Sequence, residues 1–274
     1  MKCQSKYKML FNPILFVISA SLTHAHSSPC HGDKVITLEN IKDIARCQQH
    51  FGSLTLNYQL SPSRVRLLYM DELLGDLILD NFRGDVKYNG AINGSLNVIN
   101  QDPYNHFNLL GVEEVSSLVM KNVSDKMDFR QLKVTRSIQV LDSSITSITG
   151  LSAPYLKKVL IEDCPRLREF QIDGLKEVTN VKISNTSLKT FDFLSNVAIE
   201  SDLVIEKYKY IELVIEIRHI GGKVTLNDNK LLHHIYFIAL YTLRAHVALR
   251  NNNELRFIQF PSRMNDLMAL KGIN

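Results

Sequence analysis

Histidines and acidic pairs are the side chains of this chain whose types could support catalysis or metal binding. They are His219, His233, His234 and His246, with Asp71-Glu72 and Glu113-Glu114. Histidines can bind zinc, and carboxylates can serve as acid and base in polysaccharide cleavage. The histidines lack the paired spacing of a zinc site, and the sequence has no G-x-x-x-x-G-K-[ST], G-x-S-x-G or H-E-x-x-H motif. The sequence therefore predicts no catalytic residue, no metal ligand and no cofactor.

The first 25 residues are typical of a secretory signal peptide. Lysines precede an apolar run from Met9 to Leu22, and Thr23-His24-Ala25 offers the small residues that a signal peptidase reads. Cleavage is expected after Ala25 or after Ser21. The alternative is an N-terminal membrane anchor, but about 14 apolar residues are short for a span that needs about 20. We therefore expect a secreted protein without a transmembrane segment.

Charge and composition exclude two kinds of partner. The formal net charge of +4 falls to +1 when Lys2, Lys6 and Lys8 leave with the signal peptide. A nearly neutral chain gives no reason to expect nucleic acid or an anionic membrane surface as a partner. Tryptophan is absent and aromatic residues make up 8% of the chain, which argues against an aromatic platform for sugars.

A repeat of 19 to 23 residues organises the rest of the chain. In one copy, Val181 and Ile183 alternate with Lys182 and Ser184, which is typical of a short half-buried strand. With Asn180 as position one, the frame recurs at Ser53, Asp76, Ser95, Ser117, Ser137, Lys158, Asn180, Asp202, Lys223 and His246. This period is that of leucine-rich and related solenoids, whereas the strands of a sandwich, the alternative, do not keep so regular a spacing. The predicted fold class is mainly β.

Three positions of the repeat keep one type of residue. The second is Leu54, Leu77, Leu96, Leu118, Ile138, Val159, Val181, Leu203, Val224 and Val247, and the fourth is Leu56, Leu79, Val98, Met120, Val140, Ile161, Ile183, Ile205, Leu226 and Leu249. We predict that these apolar pairs form the core. The sixth position is Asn or Asp in all copies except those with Tyr58 and Lys207. We expect the short polar side chains to bond backbone groups that the turn leaves without partners. The alternation of Phe191 and Phe193 around Asp192 predicts a second short strand in the same coil.

Residues 26–52 are predicted to cap the first coil with a strand and a helix. Helical spacing is carried by Leu38, Ile41, Ile44 and Ala45, with Thr37 able to cap the first turn. A repeat protein needs such a cap because a terminal coil otherwise leaves its core face in water. A Cys30–Cys47 disulfide would close the cap and contribute on the order of 3 kcal/mol. Residues 53–274 then form a β-solenoid of about ten coils.

Cys164 and three glycosylation motifs complete the candidate sites. Cys164 directly follows the sixth position of its coil; a packed free thiol is favoured over a reactive nucleophile, and an intermolecular disulfide stays open. The motifs place Asn93, Asn122 and Asn185 as glycan acceptors. Asn93 is expected in a turn ahead of a strand, where a glycan can leave the surface. Asn122 and Asn185 occupy the sixth position, so a glycan fits there only if that row of side chains faces solvent.

The N-terminal residues and the repeats together resemble a known family. The order Cys30, Val35-Ile36-Thr37-Leu38, Ile41-Lys42-Asp43-Ile44, Cys47 and Gly52-Ser53-Leu54-Thr55-Leu56 resembles the start of a receptor L domain, the ligand-binding solenoid of epidermal-growth-factor and insulin receptors. Within that superfamily the chain is similar to fungal secreted and GPI-anchored cell-wall proteins, including the sporulation-specific group, over residues 30–274. The resemblance implies a right-handed parallel β-solenoid, a role in cell-wall or ascospore-wall assembly, and no catalysis.

The chain departs from that family at its C-terminal end. Family members continue into a Ser/Thr-rich stalk and a GPI signal, whereas this sequence stops at Lys271-Gly272-Ile273-Asn274, where an eleventh strand should begin. The sequence therefore predicts a solenoid without a C-terminal cap, whose open edge invites association.

The predicted function is non-enzymatic organisation of the wall by binding cell-wall polysaccharide or wall proteins. The expected contact surface is the face built by the first strands of the coils and their adjoining turns, because stacking makes it long and nearly flat. One alternative is a receptor-like module that binds a protein ligand. Another is a polysaccharide-active β-helix enzyme, which would need a column of carboxylates over several coils.

Overall fold

The structure is a computed structural model that describes residues 29–60, 63–67, 70–88, 90–104, 106–243 and 246–262. The strands in the first part of the chain are β1 (Cys30–His31), β2 (Lys34–Val35), β3 (Gln49–Phe51), β4 (Leu54–Asn57), β5 (Ser63–Leu67), β6 (Glu72–Leu74), β7 (Leu77–Asp80), β8 (Gly84–Tyr88), β9 (Ala91–Ile99) and β10 (Phe107–Leu110). They continue with β11 (Glu114–Lys121), β12 (Ser124–Leu141), β13 (Ser144–Ser152), β14 (Tyr155–Cys164), β15 (Glu169–Asp173), β16 (Glu177–Thr186), β17 (Val197–Ile199) and β18 (Leu203–Glu206). The last are β19 (Glu212–Ile215), β20 (Ile217–Ile220), β21 (Val224–Asn227), β22 (His234–Phe237), β23 (Thr242–Leu243), β24 (Val247–Arg250) and β25 (Phe257–Gln259).

These strands stack as the coils of a parallel β-solenoid. Nineteen join one sheet, and the others form the three-stranded sheets β5-β8-β10 and β19-β22-β25. Each coil has three sides. We call the segment at repeat positions two to five the first side, the segment after the sixth-position corner the second side, and the segment before the next position one the third side.

The first side confirms the predicted frame residue for residue. The second-position residues pair in one unbroken parallel register, which runs Leu54, Leu77, Leu96, Leu118, Ile138, Val159, Val181, Leu203, Val224 and Val247. The second- and fourth-position side chains are buried in every coil but the last described one, where Val247 and Leu249 are half-buried. Because successive side chains of a strand point to opposite faces, alternation alone placed these pairs in the core.

The sixth position turns the chain, and its residue type has a different cause from the predicted one. In the nine coils from Asn81 to Asn251 this residue has a positive φ, between 47° and 56°. Asn and Asp are the side chains that best tolerate this left-handed conformation. The backbone needs no side-chain partner there, since its amides continue the ladder, as in the 3.0 Å bond from Asn100 N to Lys121 O. Conformation therefore selects Asn and Asp at this corner.

The side chains that do bond the corner backbone belong to the seventh position. In most coils this position is buried, and its buried polar residues and thiol include Gln101, Ser143, Cys164 and Asn229. The Gln101 amide donates to Phe82 O at 2.9 Å, and Asn229 donates to Ile205 O at 3.3 Å. Asn229 Oδ1 also accepts from Tyr208 N at 2.8 Å. The internal polar row thus lies one residue later than the sequence predicted.

Two local predictions are corrected. Phe191 and Phe193 are both buried, but they lie at a 3₁₀ turn, Asp192–Leu194, which the bond from Leu194 N to Phe191 O closes at 2.8 Å. Asn93 lies inside the continuous strand β9 rather than in a turn. A second 3₁₀ turn, Tyr58–Leu60, follows β4.

The N-terminal segment contains the predicted disulfide, between Cys30 and Cys47. The helix is a single turn, α1 (Ile41–Ile44), and Leu38 lies outside it with 72% of its surface exposed. Thr37 bonds the start of this turn through its hydroxyl, which accepts from Asn40 N at 3.3 Å. A capping role for residues 26–52 stays a prediction. The predicted signal peptide, residues 1–25, and the C-terminal stretch 271–274 lie outside the described residues.

Candidate functional site: the outer face of the first side and a cavity on the second

The outer face of the first side is a continuous parallel surface. It consists of third-position residues Thr55, Ile78, Asn97, Val119, Gln139, Leu160, Lys182, Val204, Thr225 and Ala248 and of fifth-position residues Asn57, Asp80, Ile99, Lys121, Leu141, Glu162, Ser184, Glu206, Asn227 and Arg250. Most of these side chains are half-buried, because each packs against the equivalent residue of the next coil. This is the contact surface that the sequence predicts.

A charged row crosses this face next to an apolar one. Lys182 Nζ bonds Glu162 Oε1 and lies 3.6 Å from Glu206 Oε2. The hydrogen bond with Glu162 is the main cause that raises the pKa of Lys182. Beside this row, Leu141 pairs with Glu162 and Leu160 pairs with Lys182, so aliphatic side chains adjoin the charges. The face therefore offers both charge and apolar area to a partner.

The sixth-position side chains form an external row at the edge of the face. Asn122 Nδ2 donates to Asn100 Oδ1 at 3.1 Å, and Asn185 Nδ2 donates to Asp163 Oδ1 at 2.9 Å. Asn122 is exposed and Asn185 half-exposed. The row faces solvent, so the steric objection to glycans at these two residues does not apply. Asn93 is also exposed and donates to Glu72.

A cavity of about 500 Å³ opens on the second side, between β10 and the start of β12. Its walls carry carboxylates, bases and an aromatic ring within one depression: Asp102, Asp128 and Glu169, then His106, Lys126 and Arg130, and Phe107. Sequence reasoning missed this site, because its residues come from different coils and keep no single residue type at a repeat position. The only local signal was the polar segment 102–106, which follows the sixth-position corner of its coil.

A left-handed corner places Arg130 in this cavity. Arg130 has φ 52° and Gly150 has φ 73°, and they occupy the same corner in neighbouring coils, since a Cβ on Gly150 would lie 2.5 Å from Arg130 N. Asp128 Oδ1 accepts from Arg130 N at 3.1 Å. The corner therefore fixes the backbone from which the guanidinium reaches the cavity.

The residues first considered for chemistry lie in separate places. His233 and His234 have ring centroids 6.1 Å apart and lie near Glu254 and Glu212 respectively, at 4.0 Å and 3.7 Å. His219 bonds Thr242 on another strand pair. None of these histidines joins a group of three ligating side chains within the described residues.

The two acidic pairs are engaged with the neighbouring coil. Asp71 and Glu72 accept from Gln48 and Gln49 at 2.9 Å and 3.1 Å. Glu114 lies 2.6 Å from Lys133 Nζ. Glu72 and Glu114 begin strands β6 and β11.

His50 is the residue that sequence reasoning overlooked. It is fully buried beside the Cys30–Cys47 disulfide, neither ring nitrogen has a hydrogen-bond partner within the described residues, and burial lowers its pKa. Its neighbour Phe51 points outward instead and stacks on His31 with centroids 5.0 Å apart. Because the disulfide occupies both sulfurs, this group offers no thiolate to a metal.

Cys164 is a buried free thiol, as the favoured interpretation predicted. It donates to backbone carbonyls, with Glu162 O at 3.2 Å. Burial raises the pKa of the thiol to about 11. The thiolate fraction at neutral pH is therefore small, which makes this cysteine a poor nucleophile.

Comparison with known proteins identifies one distant relative. The chain is 22% identical to Sporulation-specific protein 2 of Saccharomyces cerevisiae over 245 residues, which cover 79% of this chain and 49% of the yeast protein. The chain thus spans about half the length of the curated relative it matches. No protein-family model matches the chain, and no solved structure matches it. The resemblance to receptor L domains therefore stays a prediction.

The helical segments in the described part of the chain are short. None of the helical segments there has the length and apolar character that a bilayer crossing requires.

Proposed function

We propose that this protein is a secreted, non-enzymatic solenoid that organises fungal cell-wall or spore-wall material by binding wall polysaccharide or wall proteins. The distant similarity to a sporulation-specific protein supports a sporulation-related role. The Cys30–Cys47 disulfide supports export, since disulfides persist in oxidising compartments.

The observation that carries the proposal is the unbroken outer face of the first side. Its strands stay in register from Leu54 to Val247, so its half-buried side chains form long parallel rows rather than a closed pocket. Coils repeat about every 4.8 Å in a stacked sheet, so such a surface can follow an extended partner over many spacings.

Retention on wall material tests this function. The mature chain would be incubated with insoluble β-1,3-glucan, with chitosan and with immobilised wall-protein extract, and the bound fraction measured. Val119→Glu combined with Val204→Glu places two charges on the outer face and should reduce retention at least fivefold. Val214→Glu is the matched control, because Val214 is exposed on the second side and its replacement should leave retention unchanged.

The outcomes separate the proposal from its rivals. If the chain binds one soluble protein ligand and no wall material, the receptor-like alternative is favoured. Release of reducing sugar from the glucan would overturn the non-enzymatic assignment.

Export is tested separately, by sequencing the N-terminus of protein recovered from the medium. Cleavage after Ala25 or Ser21 is the expected result, and glycan mapping at Asn93, Asn122 and Asn185 completes the test.

A further inference from the structure

We propose that the cavity between β10 and β12 binds a short segment of an uncharged oligosaccharide. This inference deepens the proposed function, on which it rests, by naming a site and a ligand class. It is independent of the outer face of the first side, because the cavity lies on another side of the coil.

The cavity fills an interruption of the second side. β10 pairs with β8 through Phe107↔Gly84, and the start of β12 pairs with β13 through Ser124↔Ser144. Within the described pairings, no ladder joins β10 to β12. The two facing edges therefore hold backbone donors and acceptors that ladder bonds would otherwise use. A volume of about 500 Å³ lies within the usual range of ligand sites.

The charges of the lining favour a neutral polyol. Arg130 and Lys126 can only donate hydrogen bonds, whereas ionised Asp102, Asp128 and Glu169 can only accept them. An anion or a cation placed here would meet like charges as well as opposite ones among the lining side chains. Adjacent sugar hydroxyls both donate and accept, so they can satisfy both sets of groups. The half-buried ring of Phe107 supplies an apolar surface for the C–H groups of a pyranose.

Existing bonds leave the carboxylates able to accept more. Asp128 accepts from Arg130 N at 3.1 Å, and Glu169 accepts from Gln171 Nε2 at 2.8 Å. A carboxylate offers about four lone-pair positions, so each retains capacity for a ligand hydroxyl. These bonds also orient the two carboxylates before a ligand arrives, which reduces the ordering that binding requires.

The backbone of Arg130 is an independent sign that this side chain is used. Eleven non-glycine residues among those described have a positive φ, and nine of them are Asn or Asp. Arg130 is an exception, although the same corner is Gly150 in the next coil. Strained residues of this kind concentrate at functional sites. A long basic side chain at an unfavourable φ places a planar array of donors at the cavity.

A peptide strand inserted between the two edges is the rival occupant. Edge-adding peptides gain specificity from pockets that accept alternate side chains. The cavity instead combines charged side chains of both signs with the rings of Phe107 and Phe129. The lining therefore favours a ligand with hydroxyls around a carbon ring.

The experiment measures oligosaccharide binding to the mature full-length chain by calorimetry. The neutral probes are hexamers of β-1,3-linked glucose, β-1,4-linked N-acetylglucosamine and α-1,6-linked mannose. The charged probes are a glucosamine hexamer and a sulfated glucose hexamer, and an unstructured decapeptide represents the rival. We expect at least one neutral hexamer to bind, and each charged probe and the peptide to bind at least tenfold more weakly.

Two cavity variants and one matched control locate the site. Arg130→Gly should weaken the binding at least tenfold without lowering the melting temperature, because glycine adopts a positive φ freely. Thr149→Trp, which fills the cavity, should abolish it. Lys207→Gly is the control: Lys207 is the other basic residue with a positive φ, lies outside this cavity, and its replacement should leave the affinity unchanged.

The inference is overturned if no neutral hexamer binds, if a charged probe or the peptide binds as well, or if Arg130→Gly binds like the wild type. Failure of the proposed function looks different. A protein that retains insoluble wall polymer, but whose hexamer binding is absent or is not weakened by the cavity variants, would sink the cavity site alone. Cavity-dependent binding of a hexamer by a protein that retains no wall material would sink the wall role alone.

Discussion

The first and second sides of the coils are built from the same chain but follow different rules. On the first side, every coil contributes a strand of the same register, from Leu54 to Val247. On the second side, strands form two separate three-stranded sheets, β5-β8-β10 and β19-β22-β25, with the bent strands β12, β13 and β15 between them. The regular side provides a uniform surface, and the interrupted side provides the cavity.

The difference follows from what each side must satisfy. A strand of four residues with two inward aliphatic side chains can stack on an identical strand indefinitely. The coils differ in length mainly on the second side. Its segments run from the sixth-position corner to the third side over different numbers of residues. Irregular backbone exposes unpaired groups, and those groups can serve a ligand. The regular first side thus stabilises the fold, and the interrupted second side supplies the groups of the proposed binding site.

The largest expected effect is loss of a core residue on the regular side. Ile161→Ala should destabilise the protein by about 2–4 kcal/mol, because Ile161 is fully buried between two coils that cannot collapse onto the gap. Gln139→Ala, which changes a half-buried outward residue on the first side, should cost less than about 0.5 kcal/mol. Urea unfolding measures both. A similar loss of unfolding free energy in the two variants would show that the inward and outward rows contribute equally to stability.

The next effect tests the corner of the interrupted side. Gly150→Ala should cost about 2–3 kcal/mol, since Gly150 has φ +73° and a new Cβ would lie 2.5 Å from Arg130 N. Gly174→Ala separates backbone strain from steric clash. At Gly174 φ is also positive, at +72°, but no atom lies within 4 Å of the added carbon. That variant should cost about 1 kcal/mol. Thermal melts compare them, and an equal loss would mean that strain alone matters at both glycines.

A smaller effect concerns the thiol at the corner between the two sides. Burial raises the pKa of Cys164 to about 11, whereas an unfolded thiol titrates near 8.5. The unfolded state therefore loses its proton first, and stability falls as pH rises through the interval from about 9 to about 11. At pH 10 the loss should be about 2 kcal/mol. Melting curves of the wild type and Cys164→Val between pH 8 and pH 10 check this, and parallel slopes would contradict it.

The smallest effect is a gain at the sixth-position corner. Lys207 has φ 53°, where most coils carry Asn or Asp, so Lys207→Gly should stabilise the protein by about 0.5–1 kcal/mol. Lys209→Gly removes the same charge at an exposed residue that lacks a positive φ, and it should be neutral or destabilising. A lower melting temperature for Lys207→Gly would show that the lysine side chain contributes more than its backbone costs.

The regular side could be predicted from the sequence because its signal repeats. Alternating apolar residues with one period identify the inward row in every coil, and the structure pairs those residues in the predicted frame. The sixth position was found for the same reason, although its cause lies in φ rather than in backbone bonding.

The interrupted side could not be predicted because nothing in it recurs. Phe191 and Phe193 alternate like strand residues, yet a 3₁₀ turn buries both. Outside the interrupted side, on the third side, His50 and Phe51 exchange the places that their hydrophobicity suggests, because β3 lies in register with Cys30. The cavity residues meet only when four coils are stacked. Local pattern identifies a repeated strand, but contacts between unlike segments require the assembled fold.

The parallel register of the first side also makes length an adjustable quantity. Each added coil extends the stack by about 4.8 Å and presents the same two edges to the next one. A duplication or deletion of one whole period would therefore leave every remaining strand with a matching neighbour. The length of such a scaffold can therefore change by whole coils during evolution, while the cavity at the interruption of the second side is kept.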